Sequence, residues 1–168
     1  MNKSAEDEFR SFVDGNWPRL LRTAHLLTGH HQDAEDLVQA ALARAYTRWE
    51  RILGARSPEA YVWRILINTN ADRLRRRKLG EWLTHWLPER SAPDCTDRLV
   101  ERDVLLAALR ALPVRQRATV VLRYLEDRSE SEVAELLGTS VGTVRSQTAR
   151  ALTRLRAEVP RLTASERP

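Results

Sequence analysis

The sequence has one cysteine, six glycines and no long apolar run among its 168 residues. A single cysteine, Cys95, excludes an intramolecular disulfide and argues against a cysteine-cluster metal site. No stretch approaches the roughly 20 apolar residues of a transmembrane helix, so we expect no membrane insertion. The polar, partly acidic first residues do not resemble a signal peptide. These absences favour a cytoplasmic protein without a metal or other cofactor.

Lysine is also scarce, because arginine provides 26 of the 28 basic residues at a formal net charge of +5. The guanidinium group suits forked contacts with phosphate and guanine, although a GC-rich genome would enrich arginine without any function. The spacings of a phosphate-binding loop, a zinc protease and a nucleophile–base pair are all missing. The sequence therefore predicts a binding protein rather than an enzyme.

Apolar residues recur at helical spacing along nearly the whole chain, and strand-like alternation is absent. The pattern predicts an all-α fold of two small helical domains joined by a linker. The predicted boundaries are 1–79 for the first domain, 80–96 for the linker, 97–162 for the second domain and 163–168 for a tail.

Local signals mark the helix ends of the first domain. Pro18 is expected to break or kink the first helix, and Gly29 to end it. Asp33 is predicted to cap the second helix. Ser57 followed by Pro58 predicts the start of a later helix.

The segment SEVAELLGTSVGTVRSQTARALTRLR, from Ser131 to Arg156, predicts a helix-turn-helix. Ser129 and Glu132 form a capping box ahead of the first helix. Gly138 suits the left-handed conformation of the turn, and Ser140 can cap the second helix.

The second helix of this motif has two different faces. Large apolar residues occupy one face, and small residues (Gly142, Ser146, Ala149) lie with Arg145 and Arg150 on the others. A small, basic face fits the major groove of DNA. An ordinary helical hairpin with solvated arginines is the alternative.

A polar row follows the helix predicted from Pro58, at spacings of three or four residues: Tyr61, Arg64, Asn68, Asp72 and Arg75. An aromatic ring can stack on an unpaired base, an amide can read a base edge, and the neighbouring arginines can hold a backbone. The row thus fits single-stranded or melted DNA, but a solvated polar face explains it as simply.

Two polar residues in the segment DAEDLVQ interrupt an otherwise apolar helical stripe. Asp36 and Gln39 do not fit a core, so they are candidates for a protein-docking surface. The residues alone leave this open.

Three stretches, in this order, resemble the sigma factors of bacterial RNA polymerase: DAEDLVQAALARAY, YVWRILINTNADRLRRR and LPVRQRATVVLRYLEDRSESEVAELLGTSVGTVRSQTARALTRLR. The resemblance covers about residues 10–79 and 100–157, and the lack of other domains indicates the small extracytoplasmic-function (ECF) group. It implies sigma regions 2 and 4, a non-enzymatic subunit that binds core polymerase, and promoter DNA read as minus-35 duplex and melted minus-10 strand.

The resemblance assigns roles to particular residues. Docking on the clamp helices of the largest polymerase subunit falls to Asp36, Val38 and Gln39. The minus-10 contacts fall to Tyr61, Arg64, Asn68, Asp72, Arg75 and Arg76. The minus-35 contacts fall to Thr143, Arg145, Ser146, Gln147 and Arg150. The second domain is also implied to contact the flap of the second-largest subunit.

Some features depart from the family or leave alternatives open. Trp82 and Trp86 share a face with leucines, which predicts either packing on the first domain or a surface for an anti-sigma factor. Ala149 stands where the family often has a larger residue, so the minus-35 preference is open. A stand-alone helix-turn-helix regulator would instead bind palindromic DNA as a symmetric dimer. A nucleic-acid enzyme would need a metal or carboxylate cluster that the sequence does not offer.

Overall fold

The computed structural model describes residues 3–83 and 100–165, and within them it contains α-helices and one π-helical turn but no β-strand. The helices are α1 (Lys3–Thr28), α2 (His31–Tyr46), α3 (Trp49–Leu53), α4 (Pro58–Leu83), α5 (Val100–Ala111), α6 (Val114–Val120), α7 (Glu130–Leu137) and α8 (Val141–Ser165). The all-α prediction is confirmed. The side chains of Trp82, Trp86 and Cys95 lie outside the described part of the chain.

Helices α1 to α4 form an N-terminal bundle around large aromatic and aliphatic side chains. Trp49 and Trp63 are almost completely buried. The ring of Phe9 meets the rings of Tyr46 and Trp49 edge-on, at centroid distances of 5.1 and 5.0 Å. This geometry is the one that aromatic pairs favour, and it fixes α1 against α2 and α3.

Helix α1 continues through Pro18 and does not end there, so of the two predicted effects, a break or a kink, the break is wrong. Pro18 is exposed, as is Asp14, whose carbonyl loses its helical partner to the proline. Water can satisfy a carbonyl on this side. Leu20 and Leu27 on the opposite side are buried, and their packing holds the helix together.

The start of α2 also differs from its prediction. The helix begins at His31 after His30, and Asp33 lies inside its first turn and does not cap it. The Asp33 carboxylate accepts hydrogen bonds from Arg73 at 2.6 Å and from Arg77 at 3.0 Å, both on α4. Burial raises the pKa of Asp33, but the two guanidinium groups lower it by more. The carboxylate that could have capped the helix thus binds Arg73 and Arg77 on α4 instead.

Helices α5 to α8 form a C-terminal bundle, in which α8 packs against the other three. The sequence predicts one helix from Pro113 to Glu126, but α6 ends at Val120 and a π-helical turn, Val121–Leu125, follows. The N–H of Glu126 donates to the carbonyl of Val121 at 3.0 Å, which is the five-residue spacing of a π turn.

The two bundles pack against each other along α1 and α4. Buried apolar side chains of both bundles belong to a single cluster. Arg117 of α6 donates to the carbonyl of Leu27 at the end of α1, at 2.8 Å. Burial, and then the charge of Arg110, lowers the pKa of Arg117. The predicted N-terminal and C-terminal units therefore share one core in this structure.

Candidate nucleic-acid interface

The helix-turn-helix is built by the local signals that the sequence contains. Ser129 Oγ accepts the N–H of Glu132 at 3.2 Å, and Glu132 Oε2 accepts the N–H of Ser129 at 2.8 Å. The backbone bond, followed by the side-chain bond, lowers the pKa of Glu132. Gly138 adopts φ 61° and ψ 43°, and Ser140 Oγ accepts the N–H of Thr143 at 3.1 Å. The predicted capping box, turn and cap are confirmed.

Helix α8 separates a buried face from an exposed one, as its sequence pattern predicts. Val144 and Ala151 are fully buried against the C-terminal bundle. Of the residues assigned to minus-35 DNA, three are exposed (Arg145, Ser146, Arg150) and two are half-buried (Thr143, Gln147). Ala149 is exposed between the arginines, so the backbone of α8 can approach a groove closely there.

Arg145 of α8 has an acidic partner, Glu130, that the sequence does not indicate. Arg145 Nε donates to Glu130 Oε2 on α7 at 2.7 Å. The two terminal nitrogens of the guanidinium group are not used by this bond, and they form the forked end that binds guanine or phosphate. Because Glu130 lies fifteen residues away, no local spacing in the sequence could have indicated the pair.

The polar row of α4 is present, but its members differ in environment. Arg64 and Asn68 are exposed, and Tyr61 is half-buried. The carboxylate of Asp72 accepts from Arg44 at 3.2 Å and from Arg75 at 2.8 Å. The described contacts of Asp72 are thus with arginines within the bundle. The structure brings the Arg64 and Asn68 side chains to one exposed face.

The arginines that follow the row extend this basic face. Arg75 is exposed, with 72% of its side chain accessible although it pairs with Asp72. Arg76 is exposed as well. Exposed guanidinium groups in series suit a phosphate backbone, so the second half of α4 has the electrostatics of a strand-binding surface.

The three residues assigned to polymerase docking do not share one surface. Asp36 and Gln39 are exposed on α2, and Gln32 donates to Asp36 at 3.2 Å. Val38 is fully buried in the core of the N-terminal bundle. In this structure Val38 is therefore not part of an exposed surface with Asp36 and Gln39. Periodicity explains the difference, because Val38 lies on the apolar stripe of α2 that packs against α1 and α4.

The candidate DNA surfaces of the two bundles meet in the structure. A cavity of about 180 Å³ is lined by Asn68 of α4 and by Thr143 and Gln147 of α8. Arg145 and Arg150, in contrast, remain exposed. The structure thus brings together candidate residues for two different promoter elements and leaves the α8 arginines at the surface.

Comparison with known proteins relates both bundles to one family. Residues 12–79 match Sigma-70 region 2, and residues 102–155 match Sigma-70, region 4. The RNA polymerase sigma-E factor of Streptomyces coelicolor is 45% identical, over 90% of this chain and 86% of that protein. The ECF RNA polymerase sigma factor SigW of Bacillus subtilis is 27% identical, over 95% and 92%.

A solved structure has the same fold. The sigma factor RpoE of Bartonella quintana, in complex with the anti-sigma factor NepR, superposes with a TM-score of 0.79 at 24% identity. The superposition covers 95% of this chain and 99% of that one.

The two matched regions, in this order and over most of the chain, define a sigma-70 family factor of bacterial RNA polymerase, and this chain belongs to that family. Within the family it falls in the ECF group, with the relatives described above. The resemblance noted in the sequence is confirmed.

A membrane span and a metal-binding cluster are both missing from the part of the chain that the structure describes. None of the helices there is long and apolar enough to cross a membrane. Nor does that part of the chain contain a group of three or more His, Cys, Asp or Glu residues placed to hold a metal ion.

Proposed function

We propose that this chain is a dissociable promoter-specificity subunit, which binds core RNA polymerase and directs transcription initiation at a particular set of promoters. The observation that supports this most strongly is the match of one chain to both family regions, each with an exposed basic helix face. The place of action is the cytoplasm, with the polymerase. The chain acts by binding, and we assign no chemical step to it.

In this proposal α8 reads the minus-35 element as duplex DNA. Arg145 and Arg150 reach base edges or phosphates, and Ser146 lets the helix lie close to the groove. Glu130 holds Arg145 through Nε, which orients the free forked end toward the DNA. A well-placed bidentate contact to guanine discriminates by about 1–3 kcal/mol. Thr143 and Gln147 flank this contact.

The exposed face of α4 captures the melted minus-10 strand. Asn68 hydrogen-bonds a base edge, Tyr61 offers a ring for stacking, and Arg64 with Arg75 and Arg76 neutralises phosphates. Asp72 positions Arg75 through their ion pair. Promoter melting is favoured because the unpaired strand is bound, and no nucleotide hydrolysis is needed.

Core polymerase binds the exposed side of α2. Asp36 and Gln39 present polar groups for the clamp helices of the largest subunit, and Val38 supports them from the core. The C-terminal bundle contacts the flap of the second-largest subunit. An anti-sigma factor is a further expected partner, in line with the NepR complex of the Bartonella relative.

Run-off transcription tests the proposal directly. A genomic promoter library is transcribed by purified core polymerase with and without the chain. Specific start sites that need the chain support a sigma factor, and their aligned upstream sequences give both promoter elements. Absence of new start sites, together with tight binding of the chain alone to palindromic duplex, would instead support a stand-alone regulator.

A further inference from the structure

One carboxylate of α7 lies directly beside the proposed DNA-reading face of α8. Glu130 is the first residue of α7, and its Oε2 accepts the Nε–H of Arg145 at 2.7 Å. The Glu130 side chain is 33% exposed. A negative charge is therefore placed at the surface to which we expect a polyanion to bind.

The place of Glu130 is set by the fold and not only by its bond to Arg145. The capping box of Ser129 and Glu132 fixes the start of α7, and α7 packs against α8. Acidic side chains in the first turn are also favoured by the helix dipole. The Glu130 carboxylate therefore stays beside Arg145 whether or not DNA is bound.

Arg145 differs in this respect from the exposed arginines that follow it on α8. Arg150 and Arg154 are exposed and line a groove together with Ala149. Among the side chains that the structure describes, no carboxylate pairs with either of them, whereas Arg145 is paired. Unpaired guanidinium groups attract the phosphates of any sequence. Because Arg145 is already paired, it adds less to this sequence-independent attraction.

The carboxylate also changes which DNA group binds best at the free end of Arg145. The two terminal nitrogens suit both the O6 and N7 atoms of guanine and the oxygens of a phosphate. The guanine acceptors carry no net charge, but a phosphate at the same place is repelled by Glu130. Guanine is therefore favoured over phosphate, although a guanidinium group alone binds both.

We propose that Glu130 determines specificity at the minus-35 element, because it positions Arg145 for guanine and repels a phosphate from the same guanidinium group. This inference rests on the proposed function of α8. Glu130 acts through Arg145 and is a positioning residue. It lowers the affinity for DNA in general, and the difference between the cognate sequence and other sequences becomes larger.

Two substitutions separate the two effects of Glu130. Glu130→Gln keeps an oxygen that can accept from Nε and removes the charge, whereas Glu130→Ala removes both. Each full-length variant is assembled with core polymerase and titrated with two short duplexes by fluorescence anisotropy. One duplex carries the minus-35 sequence found by run-off transcription. In the other, the guanine pair most sensitive to Arg145→Ala is changed.

We expect Glu130→Gln to bind the changed duplex about twofold to fivefold more tightly than the wild-type chain, and the cognate duplex within about twofold. One further phosphate contact on the changed duplex should make the logarithmic salt dependence steeper by about 0.9. Glu130→Ala should show the same gain on the changed duplex. It should also bind the cognate duplex about twofold to tenfold more weakly, because Arg145 must then be ordered on binding.

A matched control and a double variant identify the route of the effect. Glu135→Gln makes the same charge change at another exposed carboxylate of α7, and it should leave the ratio of the two affinities unchanged. Glu130→Gln combined with Arg145→Ala tests whether the effect passes through Arg145. The gain on the changed duplex should be lost in this background.

Several results would overturn the inference. An equal gain on both duplexes, an equal gain in Glu135→Gln, or a gain that persists without Arg145 would indicate a general effect of charge. An unchanged affinity ratio in Glu130→Gln overturns the inference as well, and so does equal sensitivity of every base pair to Arg145→Ala.

Run-off transcription with the wild-type chain separates this inference from the proposed function. Start sites together with an unchanged ratio in Glu130→Gln would support the sigma role and overturn the role of Glu130. If no start sites appear, but the chain alone binds a palindromic duplex with a specificity that falls in Glu130→Gln, the sigma role is contradicted and the role of Glu130 is supported.

Discussion

Arg145, the proposed minus-35 contact, is already held by a neighbouring side chain in the free chain. Its Nε is held by Glu130 at 2.7 Å, although 69% of the side chain is exposed. A pair exposed to this degree adds little to stability. Its effect is to restrict the rotamers of a long side chain, so less conformational entropy is lost when the guanidinium group binds.

Arg145→Ala should therefore weaken minus-35 binding and leave core binding intact. We expect a loss of about 1–3 kcal/mol in affinity for the cognate duplex, and less for a duplex with the contacted base pair changed. Fluorescence anisotropy with holoenzyme measures both. Arg156→Ala, which changes another exposed arginine later on α8, is the control for lost charge. A similar loss in both variants, or a drop in core affinity, would show that Arg145 does not read the base.

At the scale of the element, α4 carries two kinds of residue on one helix. Its buried side, with Trp63 and Leu66, belongs to the core, and its exposed side carries the candidate strand contacts. Asp33 ties α4 to α2 through Arg73 and Arg77. The face of α4 that we propose to bind DNA is thus oriented by contacts on other sides of the helix.

Asn68→Ala should impair the open complex more than the closed complex. Asn68 is exposed, so the change removes a base contact without creating a cavity, and helix propensity favours alanine. Permanganate reactivity of unpaired thymines measures melting, and gel shift at low temperature measures the closed complex. Equal losses in the two measurements would argue against base capture by this residue.

Helix α2 makes the corresponding prediction for docking. Asp36→Ala combined with Gln39→Ala should weaken binding to core polymerase, because both side chains are exposed. Val38→Ala should instead lower the free energy of unfolding by about 1–3 kcal/mol and leave the core affinity of the folded chain unchanged. Titration of labelled core and urea unfolding give these quantities. Asp14→Ala on α1 is the control, and unaltered affinity in the double variant would place the docking surface elsewhere.

The sequence predicted local structure correctly where the interacting residues lie within a few positions of each other. The capping box at Ser129 and the left-handed Gly138 were predictable because their partners are three or four positions away. The apolar stripe of α2 was enough to predict that Val38 is buried. Only the family resemblance assigned Val38 to a docking surface. Asp33 and Glu126 were not predictable, because their partners lie 40 and 107 residues away.

At the scale of the whole molecule, Gly29 marks a close approach of the two bundles. It adopts φ +80°, and a Cβ at this position would lie 2.6 Å from Cδ of Arg110 on α5. The left-handed backbone favours a glycine here, and in addition the flexible Arg110 side chain would have to move away from a Cβ. Gly138 has φ +61° and nothing within 4 Å of a Cβ, so at that position only the left-handed backbone favours glycine.

The difference between the two glycines allows the contact between position 29 and Arg110 to be tested by mutation. Gly29→Ala should destabilise the chain more than Gly138→Ala, for which a cost of about 1–2 kcal/mol is expected from the left-handed backbone alone. The excess should disappear when Arg110→Ala is added, with a coupling of about 1 kcal/mol between positions 29 and 110. Urea unfolding of the single and double variants provides the cycle. Gly138→Ala with Arg110→Ala should be additive, and additivity in the Gly29 cycle would contradict the close approach.

The π turn determines which side chains around it point inward. In an α-helix, positions four after the buried Val120 and Val121 would face the core, yet Tyr124 and Leu125 are 55% and 39% exposed. Glu126, five after Val121, is buried instead. Removing one residue from this turn would rotate everything after it by about 100° around the axis and carry the acid out of register with α1. An insertion or a deletion in this turn would therefore break the contacts of Glu126 with Arg19 and Thr23, even where every charged residue is kept.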